Sequence, residues 1–266
     1  MSEQPEIGQA LQTWFQSPAG QRVARCEREV LDPLLRRYVG ARMLQIGSHG
    51  DDGQDVGPDM AMRWLLTPGT DPRAQLRGDP EHLPFTENSM QTILLLHALE
   101  FADAPHAVLR EAVRVLSPEG HLLVVSFNPT SLLGLNRALL GSWRGQVPWS
   151  GHYYGGRRLR DWYRLLELEP ICTRATAFGA PLGLRLPGPV NDRLAGFCQR
   201  RLPSLGGVRI MLLRKRIPRP HNPGGSKVAS RLLPARPAAA ASRETTAQSR
   251  DPDRNQGSAE IVARLR

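Results

Sequence analysis

Five places along the chain combine residue types that hold or transform a small ligand. The segment Gly47-Ser48-His49-Gly50-Asp51 follows a short apolar run, and a glycine there lets the backbone pass close to a ligand because it has no Cβ in the way. The turn from Thr67 to Asp71, and Asp79 further on, supply carboxylates that accept hydrogen bonds from hydroxyl or amine groups. His97 closes a second apolar run, and His152 opens the loop His152-Tyr153-Tyr154; both are candidates for a general base, since imidazole titrates near neutral pH. Each has a plainer reading beside the chemical one. Gly47 marks any strand-ending turn, Asp79 serves as a solvated turn carboxylate, His97 is a satisfied core residue, and the His152 loop packs its rings on a sheet rather than forming a lid.

The pattern around these residues is that of alternating strands and helices. Ser17-Pro18 reads as an N-cap followed by proline at the first helical position, and Val23, Cys26, Val30, Leu31, Leu34 and Tyr38 recur at helical spacing, giving a helix over 17–38 with a kink at Pro33. Short strands follow at 41–47 and 62–67. The nearly continuous apolar run 91–97 reads as a strand covered on both faces, placed at the sheet centre. A helix from Pro105 carries Val108, Leu109, Ala112, Val113 and Leu116, ends at Ser117-Pro118-Glu119-Gly120, and gives way to a strand over 121–127. Helices near 131–140 and 157–168 flank a loop at 141–156, and strands at 171–178 and 208–213 form an antiparallel edge pair around an insertion with a helix near 191–201. The fold class is therefore α/β: a Rossmann-like, mainly parallel sheet with right-handed crossovers. In such a sheet ligands bind beyond the carboxyl ends of the strands, where strand order reverses, which is where Gly47, the Thr67 turn and His97 fall.

The 266 residues suffice for one domain, assigned to 1–217, with an opening helix at 17–38, a ligand-binding core at 41–128 and a lid with C-terminal strands at 129–217. From 218 to 266 apolar periodicity disappears, and nine Lys or Arg stand against four Asp or Glu, which is half of the formal net charge of +10. This segment is expected to be a basic disordered tail, because it cannot bury enough surface to offset its ordering entropy. Cys26, Cys172 and Cys198 are widely spaced, with no C-x-x-C pair, and read as reduced, mostly buried thiols. The first residues lack the pattern of a secretory signal, and the most apolar window, at Ile93 to Leu99, is far short of a membrane span, so a cytoplasmic location is expected.

A resemblance is carried by Gly78-Asp79-Pro80-Glu81-His82-Leu83-Pro84-Phe85, then Ser89, then Ile93 to His97, then Leu109 through Gly120. In order and spacing these resemble the class I methyltransferases of the type 11 group. Trp14-Phe15, Leu44-Gln45-Ile46-Gly47, Pro105-His106, Phe127-Asn128-Pro129-Thr130-Ser131 and Arg214-Lys215-Arg216 resemble more closely the bacterial YafS-type proteins, over roughly residues 11 to 217. The resemblance implies S-adenosylmethionine as cofactor and a methyl acceptor of unknown kind. It implies that Asp79, with the backbone at His82 and Leu83, holds the adenine. Gly47 and Ser48 would pass beside the methionine part, and Leu96 and His97 would line the pocket next to the transferring methyl. No metal is required for such chemistry, and His97 and His152 would act where the acceptor must lose a proton.

The chain departs from the family pattern at three places. The first turn keeps one glycine of a Gly-x-Gly-x-Gly pattern, Thr67 replaces the acidic residue that grips the ribose, leaving Asp71 as a displaced candidate, and Gln91 stands where an aspartate opens the fourth strand. Three rival readings follow. The fold could be non-catalytic and act through partners. Arg214-Lys215-Arg216 and the tail could bind nucleic acid, a reading not favoured because no recognised module accompanies them. A nicotinamide oxidoreductase ranks last, since Gly47-Ser48-His49-Gly50-Asp51-Asp52 is not G-x-G-x-x-G.

Overall fold

The structure, a computed structural model, describes residues 4–50, 62–68, 71–131, 134, 150–178, 193, 196–197, 199–202 and 205–216. Most of the expected helix at 131–140, the loop at 141–149, most of the insertion before the last strand, and the basic segment from 218 onward lie outside the described residues. The chain divides into two units between Arg219 and Pro220.

Seven strands form one sheet: β1 (Arg42–Ile46), β2 (Met62–Thr67), β3 (Leu76–Arg77), β4 (Met90–Leu96), β5 (Leu116–Phe127), β6 (Leu168–Thr176) and β7 (Val208–Lys215), in the order β3-β2-β1-β4-β5-β7-β6. β1, β2, β3, β4 and β5 pair in parallel, while β7 runs antiparallel to both β5 and β6. The sheet is thus the mainly parallel one expected from the strand–helix alternation, with β4 at its centre and the antiparallel pair at one edge. β3 has two residues and no hydrophobic run of its own, which is why periodicity did not reveal it.

Period-two alternation distributes each strand between two cores. Leu44, Ile46, Ile93, Leu95, Leu122 and Val124 face α3 (Pro105–Val115) and α4 (Gly156–Leu165), meeting Val108, Leu109, Ala112, Leu159 and Trp162. Met43, Leu94, Leu96, Leu123, Val125 and Phe127 face the other way, toward Leu11 and Phe15 of α1 (Gln4–Gln16) and Val23, Ala24, Leu31 and Leu35 of α2 (Pro18–Tyr38). α1 was not expected; its sequence is polar and lacks a capping signal. The buried stripe of α2 runs through Gly20, Val23, Ala24, Glu27, Leu31 and Leu35, rotated from the expected one. Cys26, Val30, Leu34 and Tyr38 are half-buried, and the helix is continuous through Pro33.

Two junctions differ from the sequence reading. Leu116 belongs to β5 rather than to the helix before it: Met90 pairs with Leu116 and Thr92 with His121, so Ser117 to Gly120 form an irregularity within the strand, with Glu119 at φ +60°. β6 begins at Leu168, where the helix had been expected to end. Cys26 and Cys172 are half-buried rather than mostly buried. Among the described residues, no helix is long and apolar enough to cross a membrane.

The joint between α1 and α2 depends on close backbone approach. Ser17 caps α2 by accepting the Gly20 N–H at 3.1 Å, and its own N–H donates to the Trp14 carbonyl at 2.9 Å. A Cβ on Gly20 would lie 2.2 Å from the Trp14 carbonyl oxygen, a backbone atom that cannot swing aside. Gly20→Ala should therefore lower stability by about 1–3 kcal/mol despite alanine's better helix propensity, as read by chemical denaturation; an unchanged or higher stability would show that the helices move apart at no cost.

Candidate functional site

A cleft opens beyond the carboxyl ends of β1, β2 and β4, at the reversal of strand order between β1 and β4. The space within it, about 560 Å³, includes open solvent. Its floor is Ile46, Gly47 and Ser48 after β1, with Thr67 at the end of β2 and Leu96, His97 and Ala98 at the end of β4. Gly8, Leu11 and Gln12 of α1 form one wall, so a helix that sequence periodicity did not reveal closes the site.

Gly47 is needed for its own backbone. It sits at φ +92°, its N–H donates to Leu66 O at 3.0 Å, and a Cβ would lie 2.2 Å from the Leu96 carbonyl oxygen. The turn beyond it lacks the family's further glycines at their usual spacing and is held by side chains instead. Ser48 Oγ donates to Asp71 Oδ2 at 2.6 Å and accepts from Gly50 N at 3.0 Å and Arg73 Nη2 at 2.9 Å. Arg73 also donates to Gly50 O and to both Asp71 oxygens. Burial works against the Asp71 charge, but the bonds from Arg73 and Ser48 override it and hold the carboxyl below its ordinary value. Asp71 is not among the cleft-lining residues; its oxygens fix the turn.

The loop before β4 is fixed from below. Asp79 Oδ1 accepts from Glu81 N at 2.8 Å, and Oδ2 lies 3.1 Å from Nδ1 of the exposed His82. The N–H of His82 donates to Asp79 O and that of Leu83 to Glu111 Oε2, so both backbone donors already have partners. Arg114 of α3 donates to Glu111 and to the carbonyls of Leu83 and Phe85. Leu83 itself is buried in the α3 core, and Pro80 is the residue of this loop that lines the cleft.

His97 departs from its strand's alternation. Leu96 faces the α1–α2 side, and the next side chain should face the other; a φ of +52° turns the His97 ring to the same side as Leu96. There it stacks on Phe127 at 4.1 Å and tilts against Phe15 at 5.5 Å. Its Nε2 lies 2.9 Å from Glu27 Oε1 and its Nδ1 3.2 Å from Glu100 Oε1. The second oxygen of Glu27 lies 2.6 Å from Nε2 of His49. Glu27, His97 and Glu100 are fully buried, and His49 nearly so. Burial alone would push His97 down, but the facing carboxylates raise it to about 10; burial would push Glu27 up, but His97 and His49 bring it down to about 2. Both ring nitrogens of His97 already face carboxylates, which leaves neither turned to a ligand in the cleft as a general base would be. His152 is exposed, and its backbone N–H donates to Glu100 O at 2.7 Å. The adjoining rings pack rather than project: Tyr153 stacks on Phe127 at 5.2 Å and Tyr154 meets Trp162 at 4.8 Å.

Glu27, His49, Glu100 and Arg73 were missed by sequence reasoning. The signal for Glu27 was present, since it is a charged residue on the apolar stripe of a helix. No apolar periodicity marks the other three: Arg73 and Glu100 meet Asp71 and His97 two and three residues away, and His49 meets Glu27 on α2.

The pH dependence of folding follows from this network. His97 has a folded value of about 10 against an ordinary 6.5, so its stabilisation is whole below pH 6.5 and is lost as pH rises toward 10. Glu27, at about 2 against 4.5, contributes fully above pH 4.5 and loses its contribution as pH falls toward 2. Unfolding free energy in metal-free buffer should be greatest between those two ordinary values. His97→Gln should lie lower by about 3–5 kcal/mol and lose most of the alkaline decline; an alkaline limb unchanged in that variant would assign the decline to other groups.

Comparison with known proteins agrees with this architecture. Residues 53–124 match the family described as a methyltransferase domain. The chain is 30% identical over 220 residues to the uncharacterized protein YafS of Escherichia coli (strain K12), spanning 82% of this chain and 87% of that one. A SAM-dependent methyltransferase from Thermotoga maritima superposes with a TM-score of 0.57 at 17% identity, over 79% of this chain and all of that one. The geranyl diphosphate C-methyltransferase of Streptomyces coelicolor A3(2), solved with S-adenosyl-L-homocysteine, gives 0.51 at 11% identity, over 82% and 99% of the two chains. On the strength of the shared domain and of that identity and coverage, the chain belongs to the YafS family of proteins with the class I methyltransferase fold.

Proposed function

We propose that the chain is an S-adenosylmethionine-dependent methyltransferase. The observation that carries this reading is the cleft at the strand-order reversal, with walls that are largely apolar and a few polar groups, Ser48, Thr67 and Gln12, set among them. The cofactor supplies an activated methyl group on a sulfonium; the chain supplies orientation and exclusion of water. Gly47 and Ser48 bring the β1 turn against the methionine part. Leu96, His97 and Ala98 would line the side of the cleft next to the sulfonium, and the half-exposed Asp79 carboxylate would accept from the adenine amine. His152, which is solvent-exposed and tied to Glu100 through the backbone, is the remaining candidate to receive an acceptor proton.

A non-catalytic reading is favoured by one observation: none of the described residues lining the cleft is a carboxylate able to grip the ribose hydroxyls. Calorimetric titration with S-adenosylmethionine and its demethylated product separates the two. The methyltransferase reading expects micromolar binding, weakened about tenfold by Asp79→Ala through loss of a charged hydrogen bond. Ala98→Phe, which fills the cleft, should abolish binding while leaving the thermal midpoint within a few degrees. Folded wild-type protein that binds neither compound would sink the enzyme reading in favour of the partner-binding one.

A further inference from the structure

We infer that Glu27, His49 and His97 form a binding site for one first-row divalent transition-metal ion of the zinc class. The three donors come from separate elements: Glu27 from α2, His49 from the turn after β1, and His97 from the end of β4. One donor atom of each lies within 4.8 Å of the others, and all three residues are buried. The carboxylate stands between the rings, 2.6 Å from Nε2 of His49 and 2.9 Å from Nε2 of His97. Two imidazoles and a carboxylate are a donor set such ions take, at about 2.0–2.2 Å. Four-coordinate geometry at those lengths spaces donors roughly 3.3 Å apart, so the His49 and His97 contacts open by about 0.7 and about 0.4 Å as the ion takes the place of the shared protons.

Two further observations point the same way. Glu100 Oε1 lies 3.2 Å from the far nitrogen of His97 and is itself fixed by the Phe127 N–H at 2.7 Å. A carboxylate on the far nitrogen is the usual outer partner of a metal-bound imidazole, because it sets which nitrogen faces the ion. The charge count also favours a cation. Glu27 and Glu100 are both fully buried, and Glu100 Oε2 has no hydrogen-bond partner among the described residues. Two fully buried carboxylates placed beside these imidazoles in a dry region favour a cation between them. The ion would reach the site from the cleft, one wall of which is His97, and would tie α2 to the ends of β1 and β4. The inference stands apart from the proposed activity, since metal content rather than turnover reads it.

The test uses the full chain without a histidine tag, stripped with a chelator and dialysed against Zn²⁺ or Co²⁺. The site expects one ion per chain by elemental analysis, a visible Co²⁺ spectrum of low coordination number, and a thermal midpoint raised by Zn²⁺. His49→Ala should weaken binding at least about a hundredfold, and Glu100→Gln about ten- to a hundredfold through the outer partner. Glu27→Gln should abolish stoichiometric binding; should that variant fail to fold, His49→Ala, which changes a turn at the edge of the site, still decides. Wild type that binds less than one ion per chain, or binding unchanged in His49→Ala, would overturn the inference and assign any uptake to surface histidines such as His82.

Discussion

A single buried carboxylate holds the ligand-binding end of this molecule together. Glu27 projects from the apolar face of α2 into a region with no exposure to water, and it is stable there because two imidazoles meet its two oxygens. Removing an ionised group from water costs several kcal/mol, and that cost is offset only where partners are placed with good geometry. The placement explains features that would otherwise look arbitrary. His97 adopts a left-handed backbone at the end of β4, the β1 turn carries His49 inward, and Phe15, Phe127 and Tyr153 form an aromatic enclosure around the pair. α2 is thereby locked to the strand ends, and α1, joined to it at Gly20, is held as the wall of the cleft.

A second set of interactions does for the β1 turn what glycines do elsewhere in the fold family. Ser48, Asp71 and Arg73 knit the turn to the segment after β2, so the backbone path is kept by hydrogen bonds rather than by conformational permissiveness. The loop before β4 is treated similarly, with the Glu111–Arg114 pair of α3 bonding its backbone at Leu83 and Phe85. In both cases an ion pair that would be worth little on an open surface gains its value from fixing a loop whose backbone groups need partners.

The sheet was legible, β3 apart, because each longer strand repeats the same message. Ile93 to Leu96 can only be a strand covered on both faces, and the turn chemistry around Pro105 and Gly120 separates helix from strand. What could not be read was which side chains meet in space, near or far along the chain. Asp71 looks like a ribose-binding acid until Arg73 and Ser48 are seen on its oxygens, and His97 looks like a base until both its nitrogens are seen to face carboxylates. Period-two reasoning also fails at His97 itself, since a positive φ places two consecutive side chains on one face. The first helix escaped notice because its apolar residues are few and its start carries no cap, although its Leu11 and Phe15 are buried in the core.

The span of these contacts along the chain orders events during synthesis. Glu27 must wait 70 residues for His97, and the carbonyl of Cys26 waits 150 for the hydroxyl of Thr176 on β6. At typical elongation rates of about 5–20 residues per second, the leading helices spend roughly ten to thirty seconds outside the ribosome before that last partner is made. During that interval Glu27 is a hydrated carboxylate on an incompletely covered helix, and its charge keeps the apolar stripe of α2 from being continuous. The residue that binds the finished molecule together thus also tempers the stickiness of the nascent one.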